Sequence, residues 1–174
     1  MENLKNIHGI TLLEKCNRRV MSTYNQNGRL ATPASQKEFE QTVLTLLNNM
    51  YQNSNGETHI IAVHNHLLLV SIYTDFYLIL VAEPFENEII LADVLGELQS
   101  TIAHFCGKEI SARMVYRYYA EIAILLNEII DNGLILTTNS EELISRIMMQ
   151  DSKRTKGGAS STNKGGVMSF FSFS

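Results

Sequence analysis

Cysteine, proline and tryptophan are scarce in this 174-residue chain, which has two cysteines, two prolines and no tryptophan. Cys16 and Cys106 lie far apart and form no C-x-x-C pair, which argues against a disulfide framework. A domain of about 150 residues buries roughly 68–70% of its unfolded surface, so no structural metal is required. We expect two reduced cysteines, with a lone bridge between them as the alternative.

Long apolar runs are also missing from the chain. The first fifteen residues hold no uninterrupted apolar stretch behind a basic start, so no secretory signal is expected. The most apolar region, residues 60–82, is interrupted by polar residues that include His64, His66 and Asp75, and it does not suit a membrane span. We therefore expect a cytoplasmic protein whose association with membranes is indirect or peripheral.

Positive charge is scarce in the body of the chain. Residues 1–150 hold 10 Lys and Arg against 17 Asp and Glu, a net charge of −7, whereas residues 151–174 hold 4 against 1, a net charge of +3. Nucleic-acid binding needs clustered Lys and Arg for contact with phosphates. The acidic body argues against such a function.

Five runs of β-prone residues predict the strands. Residues 7–13 and 18–24 read as a hairpin, and residues 59–63, 67–73 and 76–82 follow one another with short turns, as in an antiparallel meander. The last two runs are almost wholly apolar. Strands of that kind are buried on both faces, so helices must cover the sheet.

Apolar stripes with helical spacing predict four helices. Ser35 and Glu38 form a capping box at the start of the first helix. Glu86 and Glu88 place negative charge in the first turn of the second helix, which Gly107 ends. A third helix is predicted over residues 112–131. Asn132-Gly133 would stop it in the left-handed region, before an extended segment 134–136 and a short fourth helix capped by Asn139.

The third helix has a wider apolar arc than one stripe requires. An apolar surface larger than a domain can bury is commonly a partner surface. The alternative is that this helix lies between the sheet and neighbouring helices. The candidate partner-binding residues are Met114, Tyr119, Ile124, Leu126 and Ile130.

The predicted order is β-β-α-β-β-β-α-α-α, an α+β domain over residues 1–150 with a five-stranded antiparallel sheet flanked by helices. Residues 151–174 are rich in Gly, Ser, Thr and Lys. Such a composition buries too little apolar surface to order itself, so a disordered tail is predicted there.

Catalytic and cofactor motifs are not recognisable in the sequence. His64 and His66 are the best metal candidates, but a hairpin turn with Asn65 in the left-handed region explains them better, since no third ligand is evident. Glu86 and Glu88 do not face each other on a helix. We predict no cofactor, no metal and no enzymatic activity, with a small hydrolase as the remaining alternative.

Three strings resemble the small-subunit family of vesicle coats, and within it the zeta type found in coatomer. They are "FENEIILADVL" at 85–95, "SIYTDFYLILVA" at 71–82 and "EIIDNGLIL" at 128–136. The third string resembles the zeta pattern and is usually missing from the sigma subunits of clathrin adaptors. The residues that carry the motifs are Glu86, Asn87, Glu88, Asp131 and Gly133.

This resemblance implies a longin-like fold and a structural role without catalysis. A zeta-type subunit would bind the trunk of the gamma subunit of coatomer, in a core that an Arf-family GTPase recruits to Golgi membranes. It would support Golgi-to-ER and intra-Golgi transport. The alternative is a sigma-type subunit of a clathrin adaptor, which would bind dileucine signals on cargo.

Overall fold

A computed structural model describes residues 7–51, 57–107 and 110–157. The elements are the strands β1 (Ile7–Glu14) and β2 (Arg18–Tyr24), helix α1 (Pro33–Met50), the strands β3 (Thr58–Val63), β4 (His66–Ile72) and β5 (Phe76–Ala82), the helices α2 (Glu88–Cys106), α3 (Ala112–Arg117) and α4 (Tyr119–Ile129), the short strands β6 (Ile130–Asp131) and β7 (Leu134–Ile135), and helix α5 (Ser140–Gly157).

The first five strands form one antiparallel sheet in the order β2-β1-β5-β4-β3. Every residue of β5 is buried, because this central strand is covered on both faces. Helix α1 covers one face, where Val43, Leu44 and Leu47 meet alternate residues of β4 and β5. The other four helices lie on the opposite face, hereafter the helical face, over the larger apolar cluster. The predicted α+β, longin-like fold is confirmed.

Helix α1 begins earlier than the capping box predicted. Its N-cap is Thr32, whose Oγ1 accepts a hydrogen bond from the Ser35 N–H at 3.2 Å. Pro33 occupies the first helical position, where a missing N–H costs nothing and its fixed φ suits the helix. The predicted N-cap, Ser35 of the Ser35–Glu38 capping box, is therefore wrong by three residues.

Helix α2 begins at an asparagine cap. The Asn87 Oδ1 accepts from the N–H of Ile89 at 3.0 Å and of Ile90 at 3.5 Å. Glu88 lies in the first turn as predicted, whereas Glu86 precedes the helix. Gly107, with φ 80°, ends α2 as expected. By length and composition alone α2 could span a membrane, but its apolar stripe packs in the core of the helical face.

The predicted third helix is in fact two helices and a strand. Tyr118, with φ −106° and ψ 34°, separates α3 from α4. Helix α4 ends at Ile129, and Asp131 belongs to β6, which pairs with β7. Asn132 and Gly133 have φ 46° and 85°, so both are left-handed, but they form the two-residue turn of a hairpin and do not stop a helix.

The last helix begins where the sequence predicted. The Asn139 Oδ1 accepts from the N–H groups of Glu141 and Glu142 at 3.0 and 3.2 Å. Leu143 and Ile147 are buried against the helical face. Helix α5 continues to Gly157, seven residues past the predicted domain boundary at 150. The rest of the predicted tail, 158–174, lies outside the described residues.

Candidate interaction surface

The five candidate partner-binding residues do not share one environment. Leu126 and Ile130 are 2% and 5% exposed and belong to the core of the chain itself. Met114 and Ile124 are half-buried against that core. Tyr119 alone is open to solvent, with 48% of its surface exposed. A partner could therefore contact Tyr119 directly and Met114 and Ile124 in part, but not the two buried residues.

The wide apolar arc on α4 is largely accounted for by neighbours in the same chain. Helix α4 packs against α2, α5 and the edge strand β2. Ile122, Leu125 and Ile129 are fully buried there. A helix with neighbours on several sides needs apolar residues around most of its circumference. These contacts agree with the alternative interpretation of the wide apolar arc, in which the helix lies between the sheet and neighbouring helices.

Other apolar side chains are exposed on or beside the helical face. Phe85 is 99% exposed in the loop before α2, and Ile89 is 73% exposed in its first turn. Met148 and Met149 are 59% and 55% exposed on α5. We did not predict these from the sequence. For Ile89, Met148 and Met149 the available signal was helical phase, since each lies off the buried stripe of its own helix.

The remaining motif residues have structural positions. The Gly133 carbonyl accepts from the Ile7 N–H at 3.5 Å, which links the β6–β7 hairpin to the start of β1. The Asp131 Oδ1 accepts from the Asn132 side chain at 3.0 Å, within the turn. Gly133 is needed there because a side chain at φ 85° is strained. Asn87 is the cap of α2, described above.

A polar cluster joins the β1–β2 turn to α3. The Glu14 carboxylate accepts from the Arg18 guanidinium, the Cys16 thiol and the Tyr116 hydroxyl, each at 2.8 Å. These donors, with the Arg18 guanidinium the strongest influence, lower the pKa of Glu14 to about 2. The exposed Cys16 thiol has its pKa raised by the same carboxylate. A thiol held in its protonated form is a poor nucleophile.

Asp75 holds the other end of α3. Both of its carboxylate oxygens lie 3.0 Å from the Ala112 N–H, in the first turn of that helix. The Asp75 carbonyl also accepts from the Lys15 N–H at 2.9 Å. Asp75 therefore ties the β4–β5 turn to both α3 and the β1–β2 turn. This role explains the aspartate in the second of the three strings.

A second polar cluster surrounds His8 near the start of β1. The His8 and His66 rings meet edge to face at 4.9 Å, and the His8 Nε2 lies 3.3 Å from a Glu83 oxygen. That approach lacks hydrogen-bond geometry, and neither His8 ring nitrogen nor the His66 Nδ1 has a hydrogen-bond partner. Burial lowers the pKa of both histidines, while the Glu83 carboxylate partly opposes the shift.

The two histidines proposed as possible metal ligands are separated by a turn. His64 is exposed, whereas His66 begins β4 and packs against Phe39. His64, with φ 52°, is the left-handed residue of this hairpin turn, and the prediction for Asn65 was wrong. In this two-residue hairpin turn only the first turn residue, His64, has a positive φ, as in turns of type II′. Among the described residues no three His, Cys, Asp or Glu side chains could hold a metal ion together.

Comparison with known proteins gives a consistent set of relatives. Coatomer subunit zeta of Saccharomyces cerevisiae is 24% identical over 155 residues, which cover 83% of this chain and 78% of that protein. Coatomer subunit zeta-1 of Arabidopsis thaliana is 25% identical, with coverages of 84% and 81%. A probable coatomer subunit zeta-B of Dictyostelium discoideum is 27% identical, with coverages of 86% and 85%.

The fold also has a structural counterpart. A chain in a homology model of the full-length AP-3 complex in a stretched open conformation aligns with a TM-score of 0.61 at 13% identity, covering 88% of this chain and 98% of that one. At this identity the likeness concerns the fold alone.

The sequence model of the clathrin adaptor complex small chain matches residues 7–154, which include every element from β1 to most of α5. This chain therefore belongs to the clathrin adaptor complex small chain family.

Proposed function

We propose that this chain is a non-catalytic small subunit of a vesicle coat, of the zeta type found in coatomer. The observation that carries the proposal is the similarity to proteins named coatomer subunit zeta from yeast, plant and slime mould over more than four fifths of the chain. The Glu14 cluster agrees with it, because its hydrogen bonds join the β1–β2 turn to α3 and give that carboxylate a structural role.

The proposed partner is the trunk of the large gamma subunit of coatomer. Its contact surface would lie on the helical face, where exposed apolar side chains are available for burial. Tyr119, Phe85 and Ile89 are the proposed anchors, because tyrosine is enriched among the residues that dominate interface energies, and the exposed apolar surface of Phe85 and Ile89 would leave water on binding. Met114 and Ile124 would contribute the half-buried rim.

In this function the chain is cytoplasmic and reaches membranes only through the assembled coat. The coat would be recruited to Golgi membranes by an Arf-family GTPase and would serve Golgi-to-ER and intra-Golgi transport. The acidic body agrees with an indirect association, because anionic lipids attract clusters of Lys and Arg. No nucleic acid, cofactor or metal is part of the proposal.

The test is co-expression with candidate large subunits. We expect a soluble complex with a coatomer gamma trunk and none with the trunk of a clathrin adaptor. Tyr119→Asp combined with Ile89→Asp should weaken the complex at least tenfold. Met50→Asp is the matched control, since Met50 is 56% exposed at the end of α1, on the other face of the sheet. No complex with the gamma trunk would refute the proposal.

A sigma-type subunit of a clathrin adaptor is the second candidate. One observation favours it: the family whose sequence model matches residues 7–154 is named after the small chain of clathrin adaptor complexes. In that function the chain would bind acidic dileucine peptides on cargo. The same co-expression decides between the two, because a sigma-type chain should assemble with the adaptor trunk and reject the gamma trunk.

A further inference from the structure

The two edges of the five-stranded sheet are protected very differently. Strand β2 forms one edge, and the helices α3 and α4 both pack against it. Its exposed N-terminal residues, Arg18 and Arg19, also carry charge. Strand β3 forms the other edge and has extensive contacts only with β4 among the described elements. An edge with unpaired backbone groups is a template for another strand unless the protein blocks it.

The hydrogen-bond pattern identifies which backbone groups of β3 face outward. The Ile72 N–H donates to the Glu57 carbonyl at 2.9 Å, so Glu57 points its backbone toward β4. In an antiparallel strand this direction alternates from residue to residue. The N–H and C=O groups of Thr58, Ile60 and Ala62 therefore point away from the sheet, along its free edge.

The side chains at these three positions leave the edge open. Thr58, Ile60 and Ala62 are exposed, and Ile60 keeps 47% of its surface in solvent. The sequence THIIAV contains no proline, lysine, arginine, aspartate or glutamate. Natural edge strands usually carry at least one such residue to prevent pairing. This edge is uncharged, regular and aliphatic.

We propose that β3 is a self-association surface, on which β3 of a second copy of this chain pairs antiparallel across a two-fold axis at Ile60. In this register Ile60 lies opposite Ile60 of the other copy, and Thr58 lies opposite Ala62. All three pairs are then hydrogen-bonded pairs, which uses every outward backbone group of the strand. The result is one continuous ten-stranded sheet.

The side chains are also compatible with this register. A two-fold axis perpendicular to the sheet keeps the helical faces of the two copies on the same side, so the exposed Ile60 side chains cover each other. Glu57 is the charged residue next to the strand, and it lies 3.1 Å from His59 of its own chain. Glu57 would lie opposite Val63 of the other copy. The two Glu57 carboxylates are then well separated, and no like charges meet.

The first experiment measures the mass of the purified full chain by sedimentation and light scattering over a wide concentration range. We expect a monomer–dimer equilibrium that Ile60→Lys weakens at least tenfold, because two ammonium groups would meet at the axis. Ala62→Lys should have a similar effect. Leu136→Lys is the matched control, since Leu136 is 52% exposed but follows β7, which pairs with β6 outside the five-stranded sheet. It should leave the equilibrium unchanged.

A disulfide test fixes the register. Residues in a hydrogen-bonded antiparallel pair have Cα atoms about 5.5 Å apart, within the range that a disulfide spans. In a Cys16→Ser background, Ile60→Cys should form a covalent dimer under mild oxidation, and Leu136→Cys should not. A wild-type chain that stays monomeric at every concentration would overturn the proposal. A dimer that both lysine variants leave intact would also overturn it. So would lysine variants that weaken only the binding of a large coat subunit and leave self-association unchanged.

Discussion

Two polar clusters at opposite ends of β1 are buried to a similar degree and have opposite chemistry. Glu14, at the end of the strand, is 7% exposed and accepts three hydrogen bonds. His8, near its start, is 4% exposed, and neither of its ring nitrogens is hydrogen-bonded. The pKa of each group is lowered, but this favours the charged form of Glu14 and the neutral form of His8.

The difference shows that hydrogen-bond partners, more than burial, decide what a buried polar group does for stability. Glu14 gathers donors from β2 and α3, so it holds two elements together and loses little by leaving water. His8 contacts His66 and Glu83 without a proper hydrogen bond. The cost of removing its imidazole from water is therefore not offset by hydrogen bonding. We expect one end of β1 to be fixed by polar contacts and the other to be sensitive to protonation.

The largest expected effect is the loss of the Glu14 carboxylate. Glu14→Ala leaves the Arg18 guanidinium, the Tyr116 hydroxyl and the Cys16 thiol without their acceptor. Removing one partner from a charged hydrogen-bonded group should lower the free energy of unfolding by about 2–3 kcal/mol. Urea unfolding followed by circular dichroism measures it. A loss below about 0.5 kcal/mol, typical of a neutral surface substitution, would show that the cluster does not hold α3.

Acid should separate the two clusters by pH. The pKa values of His8 and His66 are lowered from 6.5 by burial, so the unfolded chain binds protons first and stability falls as the pH drops below 6.5. Each histidine that stays neutral contributes a slope of at most about 1.4 kcal/mol per pH unit. Thermal melts from pH 7.5 to 5 should show this loss.

The Glu14 contribution has a different window. Its pKa falls from 4.5 to about 2 on folding, so its stabilisation is complete above 4.5 and is lost as the pH falls from there toward 2. Glu14→Ala should therefore reduce the loss below pH 4.5 and leave the loss between pH 6.5 and 5 unchanged. The separation would be contradicted if Glu14→Ala left the slope of stability against pH below 4.5 unchanged, or if it altered the slope between pH 6.5 and 5.

A smaller effect is expected from the long-range half of the Glu14 cluster. Tyr116→Phe removes the hydroxyl donor on α3 but keeps the ring, over which the Arg18 guanidinium lies at 5.3 Å from the centroid. One hydrogen bond of this kind is worth about 1 kcal/mol. The double variant Glu14→Ala/Tyr116→Phe should then cost about as much as Glu14→Ala alone, since neighbouring substitutions are not additive. Full additivity would mean that the two side chains act independently.

Strands were read from the sequence more accurately than helix ends. The bounds of β2 and β5 were predicted to the residue, because aliphatic runs between turn residues carry a local signal. The break at Tyr118 was missed because no glycine or proline marks it. Asn132-Gly133 is a strong hairpin signal, yet it follows a helix, so the reading as a helix stop competed with it.

The polar clusters were beyond reach of the sequence. Glu14 and Tyr116 are 102 residues apart in the chain, and no periodicity or spacing rule links them. His8 and His66 meet because β1 and β4 lie on either side of β5. The motif Glu86-Asn87-Glu88 was found because it is local, although its capping residue proved to be Asn87. Local signals thus identified the elements, and only the three-dimensional pairing identified the contacts between them.

The smallest expected effect is at the other end of β1. His8→Leu replaces a buried imidazole, whose ring nitrogens lack hydrogen bonds, with an apolar side chain of similar size. Such exchanges cost little, so the free energy of unfolding at pH 7.5 should change by less than about 1 kcal/mol in either direction. The variant should also flatten the loss of stability between pH 6.5 and 5. A large loss at pH 7.5 with an unchanged acid slope would mean that the 3.3 Å approach to Glu83 is a stabilising hydrogen bond and that the two clusters are alike.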